Sequence, residues 1–176
     1  MTLSGEPQPS FLEMLADARV SAVHLEMRDA YGVARESADF QAWLAGDTSG
    51  QRQARQSPFF EAITTAVERG VAVRRARIIS MPPSDYIRFE HAGTHRNIKA
   101  GEEVRWLPRR DTSDLALPGN DYWLFDDRLV RFNHFRGDGG SAGPEVTDDP
   151  ATAATCSSAF KAVWDRAVPH AEFDIN

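Results

Sequence analysis

A single cysteine, Cys156, stands among 176 residues, which excludes an intramolecular disulfide and any zinc site built from several cysteines. The thiol is expected to be a small core residue, and a reducing, cytoplasmic compartment follows as the expected setting. Long apolar runs are missing too. No stretch approaches the roughly 20 apolar residues of a membrane-spanning helix, and Met-Thr-Leu-Ser-Gly-Glu-Pro-Gln-Pro-Ser10 holds neither the basic nor the apolar run of a secretory leader. No membrane partner is expected. Lys and Arg number 20 against 26 acidic residues, a net charge of −6, so direct nucleic-acid binding through broad phosphate neutralisation is not expected. His91 and His95 lie four apart, but Ala92, Gly93 and Thr94 separate them, so H-E-x-x-H is absent. The glycines of residues 136–144 fit neither a phosphate loop nor G-x-G-x-x-G before a helix, and read as a flexible surface loop. No metal and no cofactor are expected.

What is present centres on Gly119-Asn-Asp-Tyr-Trp-Leu-Phe-Asp-Asp-Arg-Leu-Val-Arg-Phe-Asn-His-Phe135, which reads as an antiparallel hairpin with its turn at Asp126-Asp127. Residues 1–9 are expected to be a mobile tail and residues 10–176 a single globular domain. Ser10 is placed to cap a helix with a Phe11, Leu12, Leu15, Ala18 stripe. Residues 21–31 alternate as a strand would, with a longer helix as the alternative. Residues 36–46 read as a helix ended by Gly46, 47–56 as a polar linker, and Ser57-Pro58 as the start of a helix ended by Gly70. Residues 71–80 then read as a core strand, and helix and strand joined through one glycine suggest an α/β layer. Arg75 and Arg77 fall on one face of that strand. Their stems are expected to cover apolar surface with the heads in water, and the alternative is a patch for an anion or an acidic partner. Ser84 caps a helix running to Asn97 and weakened at Gly93, residues 103–107 form a strand, and residues 151–168 form the last helix, ended by Pro169. Ile78, Trp123, Phe125 and Trp164 are expected in the core. The fold class is thus α/β (α+β), one twisted mixed sheet flanked by helices, ending in an antiparallel hairpin and a C-terminal helix.

The runs Ser84-Asp-Tyr-Ile-Arg-Phe-Glu-His91, Ala100-Gly-Glu-Glu-Val-Arg-Trp-Leu-Pro-Arg-Arg110, residues 119–126, Phe132-Asn-His-Phe135 and His24-Leu-Glu-Met-Arg-Asp29 resemble an uncharacterised actinobacterial domain family of which streptomycetes carry many copies. The resemblance covers nearly the whole chain. It implies a partner of XRE-type helix-turn-helix regulators and brings no established activity. The order of elements is also similar to one half of a phospholipase D-type domain, used as a sensor module in some regulators. Enzymes of that group need H-x-K-x-x-x-x-D, in which His attacks phosphorus, Lys binds the phosphate and Asp orients the His. With Asp126 in the Asp position, Gly119 stands where His belongs and Asp121 where Lys belongs. The likeness therefore implies a non-catalytic relative.

The leading expectation is a regulatory or interaction module that partners a helix-turn-helix regulator or senses a small ligand. Its binding surface is expected on Ser84, Asp85, Tyr86, Arg88, Glu90 and His91, where a helix start favours anions, joined by Arg105, Trp106 and Arg109 if the next strand packs back against that helix. The alternative is a small hydrolase or phosphodiesterase-like enzyme with His91 or His134 as base, Asp126 or Glu90 as the orienting carboxylate, and Arg88 or Arg105 holding an anionic substrate. Neither the ligand nor the oligomeric state follows from the sequence.

Overall fold

The structure is a computed structural model that describes residues 8–31, 38–49 and 57–176. Most of the expected tail, the start of the 36–46 helix and most of the 47–56 linker lie outside the described residues.

Helix α1 (Phe11–Asp17) opens on a reciprocal capping box, with the Ser10 hydroxyl accepting from the Glu13 amide and the Glu13 carboxylate accepting from the Ser10 amide at 2.7 Å. Its inward stripe is Phe11, Met14, Leu15 and Ala18, and not Leu12, which is 43% exposed. The i, i+3, i+4, i+7 spacing counted from Phe11 selects Met14, and Phe11 itself stacks on Phe59 5.5 Å away. Residues 21–26 are the strand β1 (Ser21–Glu26) rather than part of a longer helix. Next come α2 (Ala38–Leu44), α3 (Pro58–Glu68), β2 (Ala72–Ile79), α4 (Asp85–Gly93), α5 (His95–Lys99) and β3 (Glu103–Pro108). The helix expected to weaken at Gly93 breaks at Thr94 into α4 and α5. The hairpin is β4 (Asp121–Phe125) and β5 (Leu129–Phe135), and Asp126 and Asp127 both take positive φ, 51° and 52°, the backbone that primed hairpin turns need.

Two elements were not legible. The glycine-rich loop is in fact a tight turn followed by β6 (Ser141–Thr147), and β7 (Val168–Pro169) follows α6 (Pro150–Arg166). β6 pairs with β5 through its backbone at a sheet edge, where Pro144 and Gly143 are tolerated because one side of the strand needs no partner. Neither strand carries an alternating apolar pattern.

Among the described residues seven strands form one mixed sheet in the order β6-β5-β4-β1-β2-β3-β7, with β1, β2 and β3 mutually parallel and the other pairings antiparallel. α6 covers one face, burying Cys156, Phe160, Val163 and Trp164 against Val23, Leu25, Ile78, Tyr122 and Leu124. α1 and α3 cover the other, against Ala22, Val73, Trp123 and Phe125, and α4 continues that layer over Ile79, Val104 and Trp106.

Arg75 and Arg77 lie on this second face, each only 6% exposed. The expectation of solvated heads, and of a patch for an outside anion, is corrected. Glu26 of β1 sits between them, accepting from Arg75 through Oε1 and from Arg77 through Oε2. Arg75 also donates to Glu102 at 2.8 Å, and Arg77 to Glu90 at 3.0 Å and Thr94 at 3.2 Å. Their counter-charges are intramolecular. Burial pushes the Glu26 carboxyl up, but Arg77 and Arg75 together hold it well below the usual carboxylate range. His24 stacks 4.4 Å over Trp123 beside this group, and burial, then Arg75, keep its imidazole neutral.

Two outcomes follow for stability. Phe125→Ala and Trp164→Ala each remove a buried aromatic and are expected to cost about 3 to 5 kcal/mol by denaturant unfolding. Glu26→Gln leaves two buried guanidinium groups short of a charge and is expected to cost about 3 to 5 kcal/mol in the same measurement. The Glu26 contribution is present above the unfolded carboxyl pKa and is lost only as pH falls towards its depressed folded value, so the penalty of Glu26→Gln is expected to be full at pH 7 and to shrink in acid.

Candidate functional site

In a sheet with parallel strands, the crevice beyond their carboxyl ends is where side chains from several strands converge without filling the space. Here β1, β2 and β3 end on the side where β4 begins and β5 finishes. The chain runs from β1 outward to β2 and β3, then returns to β4 on the other flank of β1. A pocket of about 300 Å³ opens at that boundary, with Arg28 past the end of β1, Arg109 past the end of β3, Gly119, Asn120 and Asp121 at the start of β4, and Phe135 at the end of β5.

Arg109 binds the strand ends together. Its guanidinium donates to the Met27 carbonyl at 2.6 Å, the Ile78 carbonyl at 3.3 Å, the Ser80 hydroxyl at 3.1 Å and Asp29 at 3.1 Å. Asp29 in turn accepts from the Ser80 amide and hydroxyl at 2.6 and 2.7 Å. Asp121 is buried at the pocket wall, accepting from the Met27 amide at 2.9 Å and from the Tyr31 hydroxyl. Burial pushes its carboxyl up to about 6, partly offset by the Tyr31 hydrogen bond and reinforced by the charge of Glu26. Arg28 differs from both. Its guanidinium lies 4.8 Å from the centre of the Phe135 ring, and its Nε is buried without a hydrogen-bond partner. Arg28 also borders an inner space of about 10 Å³, the size of one water, lined by Glu26, Tyr31, Arg77, Tyr86 and Glu90 together with Ile78, Ile79 and Ile87.

The expected binding residues are distributed around this pocket. Arg109 lines it. Ser84 adjoins it, because its hydroxyl donates to the Asp29 carbonyl at 3.0 Å while accepting from the Ile87 amide as the α4 cap. Asp85 is exposed in the first turn of α4, and Tyr86 meets Tyr31 edge-on at 6.0 Å. Arg88 reaches the chain end, donating to Ile175 and Asn176 at 3.4 Å. Glu90 is engaged by Arg77, and His91 packs on His170 at 4.3 Å and Trp106 at 5.1 Å. Trp106 is fully buried beneath α4, its indole donating to His170 Nδ1 at 3.1 Å. The expectation that Arg105 lies beside α4 is corrected. Strand side chains alternate, so with Trp106 under α4, Arg105 emerges on the opposite face, 4.4 Å over the Trp164 ring.

The four residues of the enzyme alternative do not converge. His134 pairs with Glu145 at 2.8 Å across β5 and β6, and His91 and Glu90 lie on α4. Asp126, at the far end of β4 from the pocket, is a structural acceptor for the amides of Arg19, Val20 and Ser21 at 2.9, 2.7 and 2.9 Å. Those three hydrogen bonds outweigh burial and lower its carboxyl pKa. Among the described residues no group of three or more His, Cys, Asp or Glu is arranged to hold a metal ion, and no helix is long and apolar enough to cross a membrane. Sequence reasoning missed Arg28, Asn120 and, as a pocket residue, Asp121. The available signal was position: Arg28 follows the last alternating residue of a strand. Gly119 and Asp121, which occupy the His and Lys positions of the phospholipase D pattern, both line the pocket.

The mixed α/β arrangement has counterparts among solved structures. NucT from Helicobacter pylori superposes with a TM-score of 0.50 at 15% identity over 90% of this chain and 87% of that one. Nuc, a phospholipase D family member from Salmonella typhimurium, gives 0.47 at 12% identity over 90% and 86%. TrmBL2, an archaeal chromatin protein whose structure shows a novel mode of DNA binding, gives 0.48 at 15% identity over 89% of this chain, which spans about half of TrmBL2, 48%. No curated protein matches the chain in sequence. Residues 9–174 match the family described as a domain of unknown function, DUF6879. With that match running over nearly all of its length, the chain belongs to the DUF6879 family.

Proposed function

We propose that this domain is a non-catalytic regulatory module that receives a small ligand in the strand-end pocket and contacts a helix-turn-helix regulator through the neighbouring start of α4. The observation that supports the reading is the pocket itself, in which the Arg28 guanidinium, just past the end of β1, makes no hydrogen bond, and among the described lining residues no nucleophile stands beside a base. Sites on strand ends hold their groups more rigidly than sites on loops. The two parts of the proposal are joined by Asp29, which binds Arg109 on the pocket side and Ser84 at the α4 start. Asp85, exposed, and Arg88, half-buried against the chain end, supply opposite charges on α4, suited to charge pairing with a partner. The cytoplasmic setting and the single-domain organisation are part of the same proposal.

Arg88→Ala is expected to weaken calorimetric binding to a neighbouring-encoded regulator of the XRE type by at least about fivefold, with the thermal melt unchanged. Unchanged affinity moves the docking surface away from α4, and absence of binding by the unaltered protein removes the regulator from the proposal. The same protein is expected to hydrolyse bis(4-nitrophenyl) phosphate no faster than buffer does. Turnover that His134→Ala or His91→Ala abolishes would instead favour the hydrolase reading. Retention of duplex DNA by the domain alone in a mobility-shift assay would make nucleic acid its direct partner.

A further inference from the structure

The strand-end pocket contains one guanidinium, that of Arg28, whose charge acts on Asp121 but which makes no hydrogen bond among the described residues. Arg109, the second cation on its wall, is committed to Asp29 and to three other acceptors. Arg28 makes no hydrogen bond or ion pair among the described residues; its guanidinium lies over the face of Phe135 and acts through space on the Asp121 carboxylate. A guanidinium backed by an aromatic ring is fixed in plane, and its fork of donors matches the two oxygens of a carboxylate. Around it, Met27, Pro118 and Phe135 supply apolar surface and Asn120 supplies one donor and one acceptor. We infer that the pocket binds a small monocarboxylate with an apolar or aromatic body, its carboxylate on Arg28 and its body against Met27, Pro118 and Phe135. The inference rests on the proposed function in placing the ligand in this pocket, and it names the ligand's class.

Size and charge both narrow the choice. About 300 Å³ lies at the small end of ligand pockets. A cationic ligand meets the like charges of Arg28 and Arg109 and is repelled by both. A dianion such as a phosphate monoester brings two charges against one free guanidinium, beside Asp121 and within the field of Glu26. A single carboxylate matches a single cation. Both Asp121 oxygens are already held, by the Met27 amide and Tyr31, so the carboxylate is fixed away from a ligand on Arg28.

The test uses four probes that share a benzene ring and differ in the group attached: benzoate, benzamide, benzylamine and phenyl phosphate. Binding to the full chain is followed by calorimetry and by the backbone amide signals of Gly119 and Asn120. Benzoate is expected to shift those signals and to bind at least about tenfold more tightly than the other three, and Arg28→Gln is expected to lose that advantage while melting like the parent. Benzamide, benzylamine or phenyl phosphate binding as well as benzoate at these amides would overturn the monocarboxylate while leaving the pocket as the ligand site. If none of the four shifts these amides, the placement of a ligand in this pocket is overturned as well. Should Arg28→Gln fail to fold, the ranking of the four probes on the unaltered protein still decides.

Discussion

One carboxylate between two arginines sets the arrangement of the whole second layer. Glu26 and Arg77 are register partners across the parallel β1 and β2, as are His24 and Arg75. Their side chains therefore rise from the same face. A slip of one residue would turn a strand's charges onto the face that α6 covers with Phe160, Val163 and Trp164, where nothing is placed to pair them. Desolvated charge is expensive unless paired and hydrogen-bonded, so this register is far more tightly specified than apolar alternation alone would make it. The requirement extends outward. Glu90 must come from α4 to answer Arg77 and Glu102 from the turn before β3 to answer Arg75, with Asn97 of α5 holding the second Glu102 oxygen at 2.6 Å. The helices above the charges are thereby placed by electrostatics as much as by the apolar contacts of Ile87 and Phe89.

The local signals in the sequence were sufficient wherever a side chain decides its own backbone. Ser10 and Ser84 capped the helices they precede, Asp126 and Asp127 made the hairpin turn, and Ile78, Trp123, Phe125 and Trp164 are in the core. Where a partner element decides, the sequence was mute. Ser141 to Thr147 is a strand because β5 offers an unpaired edge, not because Ser-Ala-Gly-Pro-Glu-Val-Thr favours extension. Val168–Pro169 pairs with β3 for the same reason. The arginines of β2 were placed correctly by alternation, yet their burial depended on acids from three other elements. A strand face that looks solvated by composition can be an ion-paired interior once Glu26, Glu90 and Glu102 are brought over it.

The pocket illustrates the same division. Arg109 was legible as a cation near a turn, and Gly119 and Asp121 as the residues standing where a phospholipase D pattern has His and Lys. Their meeting with Arg28 was not legible, since residues 28, 109 and 121 are joined only by the return of the chain from β3 to the far side of β1. Once joined, their roles separate by what each already holds. Arg109 closes the strand ends through Nε and Nη2, Asp121 anchors Tyr31 and the Met27 amide, and Arg28 makes no hydrogen bond among the described residues.

This separation bears on the proposed role of the site in binding. A general acid or base must reach the reacting atom, and a nucleophile must have its base within hydrogen-bond distance. Asp121, whose carboxyl burial pushes up to about 6, spends both oxygens on the chain's own donors. Binding asks less, namely a charge held in place and a wall of suitable shape. Arg28 over Phe135 meets the first condition. The helix start at Ser84 is tied to the pocket wall through Asp29, which accepts from Arg109 and whose carbonyl accepts from the Ser84 hydroxyl, so the pocket and the start of α4 are joined by contacts of the fold itself.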